Sequence, residues 1–166
     1  MNLEIELRYQ QISDAKRFCE ILNNPNFEYF PIRPKSIKDG ANFLRQNKQK
    51  RKERIEFNYS IILRNKVVGA IGIKIDQHRS YIGEIGYFVD EKYWGKGIAT
   101  KAVLLLERIA FQELGIKRIE ILMVKKNISS QKVAIKAGYK KEGIARRKVN
   151  LFGKYVDCYV YAKIAT

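Results

Sequence analysis

The sequence predicts an α/β (α+β) fold in which a mixed, mostly antiparallel central sheet of about seven strands packs against four helices. Three observations predict it. Several segments alternate apolar and polar residues with a period of two, which is typical of half-buried strands. Others repeat apolar residues every three or four positions, which is typical of helices. Residues 81–124 predict a strand, a helix and a strand, a right-handed crossover that makes the two strands parallel.

The N-terminal part of the chain predicts one strand and one helix. Apolar and charged residues alternate over residues 3–9, as in a half-buried strand. Ser13 with Asp14 is typical of a helix N-cap, and Pro25 ends the helix because its ring cannot continue the hydrogen-bonding pattern. The side chains predicted to form the buried face of this helix are Ala15, Phe18 and Leu22.

A loop and a second helix follow. Residues 26–35 hold three aromatic residues and two prolines, which predicts a shaped loop. Ser36 resembles the first residue of a capping box, and it opens a helix that ends in a basic run, residues 45–54. The positions predicted to face the core are Ile37, Ala41 and Leu44.

The middle of the chain predicts three consecutive strands. Residues 55–63 and 67–76 are rich in apolar strand-forming residues, and a turn at Asn65 and Lys66 joins them into an antiparallel hairpin. After a polar loop, residues 81–89 form the next strand. The side chains of Glu84, Gly86 and Phe88 should point to one face of the sheet, and those of Ile85, Tyr87 and Val89 to the other.

The C-terminal half predicts two helices and three strands. A long helix ends at Gly115 and is followed by a strand over residues 118–124. A short helix covers residues 129–137, and residues 142–149 with 155–164 form a terminal hairpin. The long helix should bury Ala99, Val103, Leu106 and Ala110.

Composition indicates a globular protein. The chain has 166 residues, so we expect a single domain over residues 1–166. Apolar residues make up 46% of it and charged residues 30%, which excludes disordered and fibrous classes. No apolar stretch approaches the roughly 20 residues that span a bilayer, and residues 1–4 do not resemble a basic leader. We therefore expect a cytoplasmic protein without a membrane partner, and both a monomer and a homodimer stay open.

The charge balance is strongly basic. The chain has 33 Lys and Arg residues against 17 Asp and Glu, a formal charge of +16. Such a field attracts nucleic acid, the ribosome and phosphate-bearing cofactors, and it opposes polyamines unless a local acidic pocket overrides it. Cys19, Cys158 and His78 lack metal-ligand spacing, so we expect no metal site and two small, buried cysteines.

Two glycines before the long helix predict an anion-binding turn. Gly95 and Gly97 leave backbone N–H groups uncovered at a helix N-terminus, where the helix dipole adds about half a positive charge. Pyrophosphate is a usual ligand of this arrangement. The segment fits neither a Walker loop, since glycine follows Lys96, nor a dinucleotide fingerprint, since Thr100 replaces the third glycine. Two glycines that only permit a tight turn are the alternative.

Several segments resemble the GCN5-related N-acetyltransferase (GNAT) family and, within it, the ribosomal-protein N-acetyltransferase branch typified by RimJ and RimL. The segments that carry this resemblance are residues 83–89, 93–100, 127–130, 136–139 and 153–157. The resemblance implies the family's mixed-sheet fold, acetyl-CoA as the acetyl donor, coenzyme A as product and no metal. It also implies direct acetyl transfer to a primary amine, with a protein N-terminal α-amine, such as that of a ribosomal protein, as the favoured acceptor.

The resemblance also implies which residues bind the coenzyme. The residues assigned to the pyrophosphate are Gly95, Lys96, Gly97, Ala99 and Thr100. Trp94 departs from the family, which has Gln or Arg there. Pantetheine is expected to enter a gap beside Phe88 and Val89, where it pairs with backbone groups like an added strand. Asn127 matches a coenzyme-binding Asn, and its alternative role is to cap the next helix.

Acyl transfer to an amine needs a base, a stabilised oxyanion and a protonated leaving thiol. Glu84 matches the carboxylate of this branch and is the candidate base, with a cross-strand ion pair as the alternative. Ala134 stands where many family members have a proton-donating tyrosine. Ser130 is therefore the candidate acid or thiol-binding group, although it could instead cap a helix. A backbone N–H near Phe88 or Val89 is expected to bind the oxyanion.

The acceptor side is less specific. The resemblance places the acceptor cleft beside the loop that holds Tyr29, Phe30 and Ile32, which could line it or form a lid over the core. The basic run of residues 45–54 could dock on ribosomal RNA or be a solvated helix face. Two other functions stay open: an acetyltransferase of a small amine, such as a polyamine or antibiotic, and a non-catalytic basic module that binds RNA or coenzyme A.

Overall fold

The computed structural model describes residues 4–166, so residue 3, the predicted start of the first strand, lies outside them. The strands in this part of the chain are β1 (Glu6–Tyr9), β2 (Glu56–Leu63), β3 (Lys66–Ile75), β4 (Ile82–Val89), β5 (Arg118–Val124), β6 (Lys140–Leu151) and β7 (Lys154–Ile164). The α-helices are α1 (Ala15–Leu22), α2 (Ile37–Arg45), α3 (Asn47–Lys52), α4 (Ile98–Gln112) and α5 (Ile128–Lys136).

The strands form a mixed, seven-stranded sheet in the order β1-β2-β3-β4-β5-β7-β6. Strands β4 and β5 run parallel, because α4 carries the chain back across the sheet between them. The other neighbouring strands are antiparallel, including the predicted terminal hairpin of β6 and β7. The predicted fold class is therefore confirmed.

Apolar side chains cover both faces of the sheet. On one face, α4 packs on β3 and β4 through the positions that its period predicts: Val103, Leu106 and Ala110 are fully buried and Ala99 partly buried. Burial of a side chain such as Leu106 contributes about 2 kcal/mol. On the other face, Phe18 of α1 and Leu44 of α2 pack with Ala70 of β3, and Phe88 of β4 packs at the edge of this cluster. Cys19 and Cys158 are buried and unpaired, as predicted.

The predicted second helix is divided in two. Ser36 caps α2 as expected, because its Oγ accepts the Asp39 N–H at 3.1 Å. Ile37, predicted to face the core, is instead 52% exposed and is the first residue of α2. The helix breaks at Gln46, and α3 then begins at Asn47, whose buried amide donates to Gln10 Oε1 at 2.8 Å.

Two further local predictions are corrected. Asp14 does not cap α1: its carboxylate accepts from the Gln11 N–H and from Ser60 Oγ and pairs with Arg8, and so joins α1 to β1 and β2. The hairpin turn between β2 and β3 consists of residues 64–65 rather than 65–66. Both Arg64 and Asn65 have positive φ, as the favoured two-residue hairpin turn requires.

Candidate active site

The parallel strands β4 and β5 separate towards their C-terminal ends. Their pairing runs from Ile82 and Arg118 to Glu84 and Glu120, although each strand continues to Val89 or Val124. The Asp90 N–H donates to Val68 of β3 at 2.8 Å, and N–H groups alternate sides along a strand. The N–H groups of Tyr87 and Val89 therefore point into the gap, as a strand-like ligand requires. A gap beside Phe88 and Val89, as the resemblance implies, is therefore present between the two strands.

Two clefts meet at this gap. The glycine cleft, of about 580 Å³, is lined by Phe88, Val89, Trp94, Gly95, Gly97–Thr100, the Asn26–Phe30 loop and α5. The glutamate cleft, of about 690 Å³, is lined by Glu84, Gly86, Ile32, Arg33, Lys74, Lys148 and the inner side of the first two helices. The residues that line both clefts are Tyr29, Phe30, Tyr87, Phe88, Asn127 and Ser130.

The glycine cleft has the geometry of an anion cradle. Gly95 and Gly97 have φ of +72° and +77°, and a Cβ on either residue would meet no described atom within 4 Å. The left-handed backbone, and not crowding, therefore requires glycine at both positions. The first intrahelical bond of α4 runs from the Lys101 N–H to the Gly97 C=O at 3.0 Å, which leaves the N–H groups of residues 97–100 available. Pyrophosphate fits this set of donors.

The side chain of Lys96 does not line this cleft. Its ammonium donates to the Lys92 C=O at 3.0 Å and lies over the Tyr93 ring, and its assignment to the pyrophosphate stays a prediction. Three exposed lysines line the cleft instead: Lys126, Lys132 and Lys136. Their position depends on how α5 packs, and no spacing in the sequence brings them to Gly97.

Trp94 has a defined structural role where the family has Gln or Arg. Its indole N–H donates to the Val89 C=O at 2.6 Å, and its ring makes an edge contact with Phe27 at 5.4 Å between centroids. Asn26 also donates to Glu91 at 2.6 Å. These contacts fasten the loop that holds Tyr29 and Phe30 to the start of the glycine segment.

Asn127 caps α5. Its Oδ1 accepts the Ser130 N–H at 3.1 Å, which leaves its amide N–H₂ free to donate into the glycine cleft. Capping and ligand binding are therefore compatible. Ser130 is not itself the cap, because its hydroxyl forms a 2.8 Å hydrogen bond with the hydroxyl of Tyr87. Ala134, at the position of the family tyrosine, is fully buried.

Tyr87 is a site residue that the sequence did not indicate. Its ring packs against the α4 side of the sheet and its hydroxyl reaches Ser130, where the two clefts meet. Burial raises the pKa of Tyr87 to about 12, and the hydrogen bond to Ser130 opposes that shift. The phenol is therefore neutral at physiological pH and has a proton to donate.

Glu84 stands at the end of the paired part of β4 and lines the glutamate cleft. Lys74 lies directly opposite it in the β3–β4 register, yet Glu84 forms no ion pair or hydrogen bond with any residue in the described range 4–166. The alternative of a cross-strand ion pair is thus not realised. Burial raises the pKa of the Glu84 carboxyl; Lys148 and Lys74 lower it, and Glu120 raises it further.

The loop between α1 and α2 supplies the three predicted acceptor residues. Phe30 makes an edge contact with Phe88 at 5.3 Å between ring centroids and is therefore part of a packed aromatic cluster. Tyr29 lines both clefts, and Ile32 lines the glutamate cleft with 54% of its surface exposed. All three residues thus line one or both of the clefts.

The basic run of residues 45–54 is partly used within the protein. Lys50 pairs with Glu56 at 3.0 Å, the Arg51 guanidinium lies 4.0 Å from the centre of the Tyr9 ring, and Arg54 donates to the Leu114 C=O at 2.7 Å. These contacts favour the solvated-face interpretation. Docking on a polyanion through the remaining cations stays a prediction.

The family model described as acetyltransferase (GNAT) domain matches residues 4–140 of the sequence. The chain therefore belongs to the GNAT family of N-acetyltransferases, as the resemblance predicted. Within residues 4–166, no helix has the length and apolar character that crossing a membrane requires. The same part of the chain contains no group of three or more His, Cys, Asp or Glu residues that could hold a metal ion.

The chain is similar to several curated proteins. It is 36% identical over 118 residues to "Probable N-acetyltransferase YjcK" of Bacillus subtilis, a match that covers 70% of this chain and 65% of that protein. It is 28% identical over 106 residues to the ribosomal-protein-serine acetyltransferase of Escherichia coli, covering 64% of this chain and 59% of that protein. These matches thus span 65% and 59% of the two relatives' own lengths, less than two thirds of each.

Solved structures extend the similarity to nearly the whole chain. The microcin C7 self immunity acetyltransferase MccE, in complex with acetyl-CoA and AMP, superposes with a TM-score of 0.88 at 25% identity, covering 98% of this chain and 93% of MccE. The ribosomal-protein-S5-alanine acetyltransferase from Vibrio fischeri gives 0.87 at 25% identity, covering 99% and 95%. One of these proteins is named for self immunity to microcin C7 and the other for an alanine of ribosomal protein S5.

Proposed function

We propose that this protein transfers an acetyl group from acetyl-CoA directly to the N-terminal α-amine of a protein, such as a ribosomal protein, in the cytoplasm. One observation carries the proposal: two clefts meet at the gap between β4 and β5, with a backbone anion cradle in one and an unpaired carboxylate in the other. The donor and the amine can thus approach the same point from opposite faces of the sheet.

The glycine cleft is the proposed coenzyme site. The N–H groups of residues 97–100 and the dipole of α4 bind the pyrophosphate, and Asn127 donates its amide to the pantetheine. Lys126, Lys132 and Lys136 attract the remaining phosphate charge. Acetyl-CoA supplies the acetyl thioester, and the backbone N–H of Val89 stabilises negative charge on its carbonyl oxygen.

Glu84 is the proposed base. An N-terminal α-amine has a pKa of about 8, so a substantial fraction is neutral at physiological pH and a carboxylate suffices to take the last proton. The raised pKa of Glu84 makes it a better proton acceptor than an ordinary carboxylate. Because Glu84 has no partner among residues 4–166, no existing ion pair must break before it acts.

Ser130 is the proposed donor of a proton to the leaving thiolate. The Tyr87 O–H, which also positions Ser130, replaces that proton on Oγ, and solvent then reprotonates Tyr87. When the Tyr87 O–H donates to Ser130 Oγ, the Ser130 O–H is left for the sulfur. This arrangement takes the place of the family tyrosine, which is Ala134 in this chain. It also explains why Ser130 is turned towards β4 and not towards the backbone of its own helix.

The test is a turnover screen that measures thiol release from acetyl-CoA. We expect turnover with peptides that begin with Ser or Ala and have a free N-terminus. The same peptides with a blocked N-terminus and one internal lysine serve as controls, and we expect no turnover with them. Faster turnover of spermidine or an aminoglycoside than of any peptide would contradict the proposal and favour a small-amine enzyme. Coenzyme binding without turnover of any amine would favour the non-catalytic module.

A further inference from the structure

Two lysines flank Glu84 inside the glutamate cleft. Lys74 is paired with Glu84 across β3 and β4, and side chains paired in this way lie on one face with their Cβ atoms about 5 Å apart. Lys148 of β6 lines the same cleft from the other side. Neither ammonium group forms an ion pair or hydrogen bond within the described residues, 4–166. Both cations therefore stay available to a ligand.

A break in the terminal hairpin places Lys148 there. Ala145 pairs with Cys158 and Val149 with Val156, so the three residues 146–148 stand opposite Asp157 alone. Arg147 has a φ of +50°, which costs a non-glycine residue on the order of 1 kcal/mol, and its N–H donates to Asp157 at 2.9 Å. Bulges of this kind redirect side chains next to binding sites. The hairpin thus maintains a strained bulge beside the cleft, next to Lys148.

A third cation borders the cleft from the loop before α2. The Arg33 guanidinium lies 4.9 Å from the centre of the Phe152 ring, and one of its terminal nitrogens donates to the Phe27 C=O at 3.2 Å. Its Nε is buried and has no acceptor among the described residues. A buried donor without a partner is costly, and an anionic ligand would remove that cost.

We propose that the glutamate cleft selects amines that carry a carboxylate close to the reacting nitrogen, namely N-terminal peptides with Asp or Glu at the second or third residue. This inference rests on the proposed function. Lys74 and Lys148 bind the carboxylate while Glu84 takes the proton of the amine, and Arg33 binds a second acidic side chain. The same cations repel polyamines and aminoglycosides, which have several positive charges and no carboxylate.

Matched peptides provide the test. Three hexapeptides begin Ser-Asp-Glu, Ser-Asn-Gln and Ser-Lys-Arg and are identical after the third residue. We expect kcat/KM to fall roughly tenfold from the acidic to the amide peptide and again to the basic one, as charge-assisted contacts are lost. The difference should shrink as salt is raised. Equal values for the acidic and amide peptides would overturn the inference.

Substitution of the lysines tests where the selection arises. Lys74→Gln and Lys148→Gln should each reduce the preference for the acidic over the amide peptide by about fivefold to tenfold. The preference is the ratio of kcat/KM for the two peptides on the same variant. This ratio is needed because loss of either lysine also changes the pKa of Glu84, which affects the rates of both peptides alike. The control is Lys66→Gln, an exposed lysine at the far end of β3 and outside the cleft, which should leave the preference unchanged. An unchanged preference in both cleft variants would overturn the assignment.

The outcomes separate this inference from the proposed function. If acidic and amide peptides react equally well, N-terminal acetylation stands and carboxylate selection fails. If spermidine reacts and no peptide does, both fail. Free aspartate and serine form a further arm of the screen. Faster turnover of these amino acids than of any peptide would support carboxylate selection and assign the selected carboxylate to the acceptor's own α-carboxyl group. It would contradict a protein N-terminus as the acceptor.

Discussion

The two clefts are built in different ways. In the glycine cleft, the hydrogen-bond donors are mainly backbone N–H groups of one continuous stretch, residues 95–100, which includes the start of α4. Ligand binding there therefore depends on few side chains. The glutamate cleft takes Glu84, Lys74, Lys148 and Arg33 from four separate segments and depends on side-chain charge. Backbone recognition suits a donor shared by a whole family, and side-chain recognition suits an acceptor that differs between members.

The largest expected effect is on the glycine cleft. Gly97→Val should abolish acetyl-CoA binding, at least a hundredfold loss, because the new side chain would occupy the open space where the pyrophosphate approaches and would oppose a φ of +77°. The readout is thermal shift, in which a ligand at 100 times its Kd adds about 2.7 kcal/mol to the unfolding free energy of the wild type.

Gly115→Val is the matched control for this variant. Gly115 has nearly the same φ, +75°, and equally open surroundings, but it follows α4 and lies outside both clefts. Both variants should lose similar stability from backbone strain, and only Gly97→Val should lose the coenzyme shift. Tight coenzyme binding by Gly97→Val would show that the cradle has been assigned to the wrong segment.

The second prediction concerns the acceptor side alone. Glu84→Gln should lower kcat by about a hundredfold while leaving the coenzyme shift unchanged, since a positioned general base contributes roughly 10²–10⁴-fold. In the wild type, the raised pKa of Glu84 means that kcat/KM falls as pH decreases through that pKa and the base is protonated. In the variant, this decrease in kcat/KM should be absent, and only the decrease caused by protonation of the acceptor amine should remain.

Full activity of Glu84→Gln with an unaltered pH profile would remove Glu84 from the mechanism. Glu6→Gln provides the control, because that carboxylate is exposed on β1 and lies outside both clefts. It should keep wild-type kcat and the wild-type pH profile. The pair of variants thus distinguishes loss of a base from loss of a negative charge.

The contrast between the clefts also explains what the sequence could and could not predict. Gly95, Gly97 and Asn127 were identifiable because their roles depend on local backbone geometry, at a left-handed turn and a helix cap. The strand periodicity likewise located Glu84 on the correct face of β4. These features are determined within a few residues of the chain.

The features that the sequence missed depend on tertiary packing. Tyr87 looks like an ordinary strand residue until α5 brings Ser130 to its hydroxyl, and Lys148 enters the cleft only through the bulge opposite Asp157. The position of Lys96 next to the glycines suggests a phosphate contact, which stays a prediction, whereas the structure shows its ammonium bonded to a nearby carbonyl. A side chain on a flexible stem is poorly determined by local sequence.

The smallest predicted effect lies where the clefts meet. Ser130→Ala should lower kcat roughly tenfold through loss of the proton donor, and Tyr87→Phe should lower it less, because Ser130 keeps its hydroxyl but loses the contact that orients it. The KM for acetyl-CoA should change little in either variant, since Phe retains the packing of the ring. Measured kcat for the two single variants and the double variant forms a double-mutant cycle.

If Tyr87 acts through Ser130, the double variant should be no slower than Ser130→Ala, because removing the serine makes the orientation of its hydroxyl irrelevant. Additive losses would mean that Tyr87 has a separate effect on the reaction, and an unchanged kcat in Tyr87→Phe would leave it a packing residue only. Ser130→Thr keeps a hydroxyl at the same position and should recover activity only when Tyr87 is present. Such dependence would show that the 2.8 Å hydrogen bond between the hydroxyls of Tyr87 and Ser130 couples the glycine cleft to the glutamate cleft.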